Sequence, residues 1–223
     1  MGSITGNLAH INEVIAGAAI KSGRNPSDVK LIGVTKSVGL ERIRELMQAG
    51  VDTFGENRVQ DFLPKYEALQ TPSWHFIGHL QRNKVKFIID KVAMIHSVDS
   101  LALASEIDRR AGQAGLTMDI LVEINIAGED SKHGLSPQEV LPIMDKLSEL
   151  KNIRAKGLMC MAPFVENPEE NRIHFENMRN LFLDINSRHP HNLVELSMGM
   201  SGDYQIAIEE GSTMVRIGTA LVG

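Results

Sequence analysis

Leu31-Ile32-Gly33-Val34-Thr35-Lys36 is a short apolar run bounded by Asp28 before and Gly39 after, and it reads as a strand that ends in a lysine. Apolar residues at consecutive positions bury both faces of a strand, which suits a parallel sheet covered by helices. Such folds keep their chemistry at the carboxyl ends of the strands, so Lys36 is the first functional candidate. Taken alone, a lysine at a strand end is usually solvated surface. The rest of the chain decides between the two readings.

Working outward, Asn7 to Ser22 carries Leu8, Ile11, Val14, Ile15, Ala18 and Ala19 at helical spacing, and Gly23 stops it. After Lys36, Leu40 to Gln48 is an amphipathic helix closed by Gly50, and Val51 to Gly55 is a second strand. The alternation continues with a helix over 57–69, a strand over 74–78, a helix over 80–90 and a strand over 92–98. A helix over 100–113 stopped by Gly115 leads to the strand Asp119 to Ile126. Ser136-Pro137-Gln138-Glu139 then opens a helix that ends near Leu150, with a capping-box pattern and proline at its first position. The last third repeats the theme: strands over 153–161, 193–198 and 213–217, with helices over 168–187 and 203–210. Eight strands alternating with helices predict a single (β/α)8 TIM barrel in the α/β class, with one domain over 1–223. The extra leading helix is expected to cover the gap left by the short chain after the eighth strand. An open doubly wound sheet is the rival, but Lys36-Ser37-Val38-Gly39 is no dinucleotide fingerprint.

At 223 residues, 43% hydrophobic and 23% charged, the composition is that of an ordinary globular protein. A formal net charge of −5 gives no basic surplus to neutralise phosphates and argues against nucleic acid as a general partner. Cys160 is the only cysteine, so no intrachain disulfide forms, which fits a reducing cytoplasm. No window has the length of a membrane span, and the opening residues carry no targeting pattern.

In a barrel of this kind the residues just after each strand gather on one face. In chain order they are Lys36, Glu56-Asn57, His79, Ser97 to Asp99, Asn125, Met161 with Pro163, Ser201, and Gly218-Thr219. Asp, Glu and His occur singly along the chain rather than at ligand spacing, so no metal site is expected. Ser197-Met198-Gly199-Met200-Ser201-Gly202-Asp203 and Arg216-Ile217-Gly218-Thr219 are small polar turns at the exits of the seventh and eighth strands. Those are the positions at which such barrels frequently bind phosphate. A lysine at the first strand with a phosphate site opposite fits pyridoxal phosphate, which needs an amine and an anion cradle. It equally fits a Schiff-base aldolase acting on a sugar phosphate, and composition does not separate the two.

Val34-Thr35-Lys36, Phe54-Gly55-Glu56-Asn57, Trp74-His75-Phe76-Ile77-Gly78, Leu80-Gln81-Arg82-Asn83-Lys84, Gly157-Leu158-Met159, Leu196-Ser197-Met198-Gly199-Met200-Ser201 and Val215-Arg216-Ile217-Gly218-Thr219 together resemble the YggS/PROSC family of pyridoxal phosphate homeostasis proteins. The resemblance runs from the first strand to the last residue. Val222, where an aromatic is common, and the end at Gly223 are its departures. It implies a barrel like the N-terminal domain of alanine racemase, pyridoxal 5'-phosphate held as a Schiff base on Lys36, and a role in storing and carrying the cofactor without catalytic turnover.

On that resemblance Ser201, Gly218 and Thr219, with Ser197, would cradle the phosphate. Arg216 would face the pyridine nitrogen and disfavour its protonation, the alternative being an ion pair with Glu56 or another rim carboxylate. Asn57 would pack over or bond to the ring, or cap a helix. His79 reads as a rim histidine, and Lys132 and His133 as bordering the entrance. The alternative function is a pyridoxal-phosphate-dependent amino-acid racemase, disfavoured because the related two-base racemases draw the second base from an additional β domain. The expected partners are the cofactor and apo-enzymes that receive it, and the expected state is a monomer.

Overall fold

A computed structural model describes residues 3–129, 132–188 and 192–223. Eight parallel strands close into a barrel in sequence order: β1 (Lys30–Val34), β2 (Thr53–Glu56), β3 (Ser73–Phe76), β4 (Met94–Val98), β5 (Met118–Ile124), β6 (Ile153–Cys160), β7 (Glu195–Met200) and β8 (Met214–Ile217). The helices are α1 (Ile4–Lys21), α2 (Leu40–Gln48), α3 (Val59–Ala68), α4 (Leu101–Gln113), α5 (Pro137–Leu147), α6 (Arg172–Arg188), α7 (Tyr204–Glu209) and α8 (Thr219–Val222). The expected (β/α)8 barrel with a leading helix is therefore the fold. Closure comes from β1 against β8, with Ile32 opposite Arg216 and Gly33 opposite Ile217.

Local chemistry sets the ends of these elements. The Ser3 hydroxyl accepts from the Gly6 N–H to open α1, and Ser100 does the same from Leu103 for α4. At α5 the Glu139 carboxylate accepts from the Ser136 N–H at 2.9 Å, the reciprocal half of the expected capping box. α1 packs against α2, α7 and α8 and thereby covers the end of the barrel sequence. Asn7 donates to the Leu221 carbonyl, and Arg24, just after α1, donates to the carbonyls of Ile208 and Ser212.

Two segments differ from the expectation. Residues 80–90 form a 3-10 helix over Arg82–Phe87 instead of an α-helix. Val85 within it and Ile88 and Ile89 just after it are buried, three and four residues apart, a spacing that both helix types satisfy. The helix predicted over 168–187 opens with a 3-10 turn over Pro168–Asn171 before α6 begins.

Alternation along the strands divides the core into two layers. Residues facing outward pack under the helices: Phe54 and Trp74 are almost fully buried there, with ring centroids 5.6 Å apart. Inside the barrel Ile32, Met94, Leu121, Met159 and Met214 form a separate apolar plug. His75 is also buried, so Trp74, His75 and Phe76 are core residues as expected. Phe54→Ala removes a fully buried ring from the outer layer and is expected to lower the unfolding free energy by ~3–5 kcal/mol, measured by urea denaturation.

Candidate functional site

The mouth of the barrel holds a cavity of about 480 Å³, within the size range of small-molecule sites. Lys36, Asn57, Ser201, Arg216, Gly218 and Thr219 all line it. The first strand ends at Val34, two residues earlier than predicted, and Lys36 lies in the turn that follows. The base of that turn is fixed by a buried cluster: the Thr35 hydroxyl donates to Glu56 Oε1 at 2.6 Å, and Lys65 Nζ reaches both that oxygen and the Thr35 carbonyl at 2.6 Å. Glu56 therefore pairs with Lys65 on α3, leaving Arg216 to other partners.

Across the mouth, the Ser201 hydroxyl accepts from the backbone N–H groups of Gly218 and Ala220, each at 3.2 Å, tying the β7 exit to the β8 exit. Gly199 shapes the first of these turns, with φ at +91°, and a Cβ there would crowd Ala207 and Tyr204. Asp203 then accepts from the Met200 N–H at 2.7 Å and from Asn171 Nδ2 at 2.9 Å, closing the loop on itself.

Arg216 rises from β8 into the cavity floor and is 4% exposed. Nη1 donates to Ser197 Oγ at 2.6 Å and Nη2 to the Cys160 carbonyl at 2.7 Å. Among the described residues no carboxylate pairs with it. Burial lowers its pKa, opposed by Cys160, Glu123 and Asp203, yet a guanidinium stays charged in any protein environment. β7 runs on to Met200, beyond the predicted end at Met198, so Ser197 lies in mid-strand, within the predicted strand, and is fully buried. It does not line the cavity, and its hydroxyl holds Arg216 from below.

The chain of bonds continues downward. His96 Nδ1 lies 3.1 Å from Ser197 Oγ, and His96 Nε2 lies 2.9 Å from His75 Nδ1. Burial pushes His75 down to about 4 and His96 well below the usual histidine range, so both rings are neutral. Each neutral ring has one donor and one acceptor nitrogen, which lets the relay run from Arg216 through Ser197 and His96 to His75 with both His96 nitrogens used. This buried relay was not legible in the sequence, because its members come from four separate strands.

Glu123 lies on β5 two residues beyond Leu121, so it faces the barrel interior. Burial raises its carboxyl to about 7, Asp99 adds to the shift and Arg216 opposes it. Asn57 is similarly placed: its Oδ1 is buried with no partner among the described residues, and its side chain makes no capping bond to α3. Lys132 lines the cavity, as expected of an entrance residue, and its ammonium lies 2.6 Å from Glu129 and 3.4 Å from the Met161 carbonyl. Asn171, Asp203 and Pro163 line it as well and, as cavity residues, only Pro163 was anticipated, because Asn171 arrives from the 3-10 turn before α6.

The cavity fits a molecule that offers an electrophile to an amine, an anion to a serine-bounded turn, and an acceptor to a buried cation. A family model described as alanine racemase, N-terminal domain, matches residues 10–223. The pyridoxal phosphate homeostasis protein of Aquifex aeolicus is 44% identical over 97% of this chain and 96% of its own length. The chain belongs to this family. The protein of the same name from Escherichia coli K12 is 35% identical over 100% of this chain and 97% of its own. Among solved structures, PipY of Synechococcus elongatus PCC7942 with PLP bound superposes with a TM-score of 0.85 at 35% identity, covering 99% of this chain and 100% of that one. Alanine racemase of Clostridium difficile 630 shares the fold, with a TM-score of 0.82 at 18% identity, and this chain covers 59% of it.

The shifted carboxyl generates a pH test. In the folded state Glu123 keeps its proton up to about pH 7, whereas in the unfolded chain it ionises near its ordinary value. The folded protein therefore binds the extra proton in that window and loses stability as pH rises through it. Replacing Glu123 by Gln removes this loss, so the stability of the variant relative to the parent is expected to rise between about pH 4.5 and 7, by on the order of 1–3 kcal/mol, and to level off above. Denaturant midpoints measured across that range provide the check.

Proposed function

We propose that this chain binds pyridoxal 5'-phosphate at the barrel mouth, on Lys36, and acts in cofactor homeostasis by holding it and passing it on, without turning over a substrate of its own. The observation that carries the reading is the convergence of Lys36, the Ser201–Gly218 turn pair and the unpaired Arg216 on one cavity.

When bound, pyridoxal phosphate supplies an aldehyde that condenses reversibly with a primary amine. Lys36 offers that amine at the cavity wall. Ser201, Gly218 and Thr219 bound the place for the phosphate, and the Ser201 hydroxyl is already oriented by two backbone donors. Arg216 is held from below by Ser197 and Cys160, so its guanidinium cannot swing to a carboxylate. As a permanent donor it disfavours a proton on any ring nitrogen that faces it, and this suppresses the electron withdrawal that carbanion chemistry needs. Asn57 brings a buried amide oxygen without a partner to the same wall.

A two-base racemase would need a second proton-exchanging group beside Lys36. Among the described residues lining the cavity the candidates are Lys132, engaged with Glu129 and a carbonyl, and Asp203, locked by two hydrogen bonds. Neither is poised as a base, which favours storage and transfer to an acceptor amine or apo-enzyme. The free, buried Cys160 suits a reducing compartment and supports a cytoplasmic location; no helix among the described residues is long and apolar enough to cross a membrane. The exposed large apolar residues Ile20, Phe87, Phe164 and Val194 lie on separate parts of the chain, and Ile173 and Leu183 lie ten residues apart on α6, which favours a monomer.

The purified protein is expected to absorb visible light through the conjugated cofactor, and Lys36→Ala to abolish that band. Ser201→Ala and Thr219→Val are expected to fold normally and to retain the cofactor about tenfold less tightly. A Lys36→Ala variant with an unchanged visible spectrum, or measurable racemisation of an amino acid by the parent, would contradict the proposal.

A further inference from the structure

Three donors that the sequence keeps far apart meet on the rim of the mouth. His79 follows β3, Asp99 follows β4, and His133 lies in the loop after β5. One ligand atom from each lies within 4.8 Å of the others. His79 Nδ1 is 3.2 Å from Asp99 Oδ2, and the two imidazoles stack with centroids 3.9 Å apart. None of the three lines the cofactor cavity, although Lys132, beside His133, does.

The backbone behind each donor is fixed. Gly78 lies so close to Asn57 that a Cβ would overlap the Asn57 backbone, which sets the course of the chain into His79. The Ser100 hydroxyl donates to Asp99 Oδ1 at 3.1 Å while it caps α4, leaving Oδ2 turned toward His79. The loop that carries His133 returns to β5 at once: Leu135 donates to the Glu123 carbonyl at 2.8 Å, and Asn125 donates back to the Leu135 carbonyl at 2.9 Å.

We propose that His79, Asp99 and His133 form a binding site for a divalent transition cation, clamping three successive loops at the barrel mouth. Donors around a tetrahedral zinc, with bonds of about 2.0–2.2 Å, lie roughly 3.4 Å apart, and the His79–Asp99 separation already meets that value. One imidazole must turn out of the stack to aim its lone pair at the ion, and both rings are on the surface with room to turn. Two imidazoles and one carboxylate suit Zn²⁺, Co²⁺ or Fe²⁺ and disfavour Mg²⁺, which takes oxygen ligands. Three protein ligands leave at least one position for water or an anion. An oriented carboxylate, held by Ser100, is the kind of outer support such sites use.

The test is titration of the full chain with Zn²⁺ by calorimetry and with Co²⁺ by visible spectroscopy, in a buffer that does not itself bind these ions. One equivalent of Zn²⁺ should bind, and Co²⁺ should develop the intense visible bands of a four- or five-coordinate ion. His79→Ala, His133→Ala and Asp99→Asn should each weaken binding by at least about tenfold while leaving the far-ultraviolet circular dichroism unchanged. Absence of binding to the parent would overturn the assignment, and so would binding that all three variants retain, which would place the metal on other residues.

Discussion

Closure of the barrel between β1 and β8 is the constraint from which the site follows. Pairing Ile32 with Arg216 and Gly33 with Ile217 makes the first and last strands neighbours. Residues far apart in the chain are then adjacent at the mouth, so the turn that carries Lys36 faces the turns that carry Ser201 and Gly218. α1 supports this seam from outside, through the Asn7 bond to Leu221 and the Arg24 bonds to the end of α7. An open sheet with the same strands would leave the lysine and the anion-type turns on opposite edges.

Within that frame the costly element is Arg216. A buried guanidinium without a carboxylate is an expense of solvation that few structural roles would justify. The protein offsets it with neutral dipoles: the Ser197 hydroxyl, the Cys160 carbonyl and, behind them, His96 and His75. Keeping both histidines neutral by burial matters here, because a protonated imidazole next to the guanidinium would add a second cation to the barrel interior. The upper face of Arg216 stays available to an acceptor from the cavity. Under the proposed function, a cation there would face the cofactor ring, which suits holding it better than driving carbanion chemistry with it.

Much of this was legible in the sequence, for identifiable reasons. Apolar runs separated by amphipathic segments and glycine stops fix the count of eight strands, and position after a strand fixes which residues reach the mouth; Lys36, Asn57, Ser201, Gly218 and Thr219 needed nothing more. The end of β7 was set two residues early because Met198-Gly199-Met200 reads as a turn, whereas the strand continues through it with Gly199 at positive φ. The relay from Ser197 to His75 was not legible, since its members share no spacing along the chain; His79, Asp99 and His133 were each placed at the mouth, but their meeting as a group was not legible, because it depends on the curvature of the barrel. The 3-10 segment at 82–87 was missed because its apolar spacing is common to both kinds of helix.

The central claim is that Lys36, and no other lysine, carries the cofactor. The most direct measurement is borohydride reduction of the cofactor-loaded protein followed by mass spectrometry of its peptides. The account predicts a pyridoxyl phosphate increment on the peptide containing Lys36 alone. An increment on Lys132, the other lysine at the cavity wall, or on no lysine at all, would contradict it.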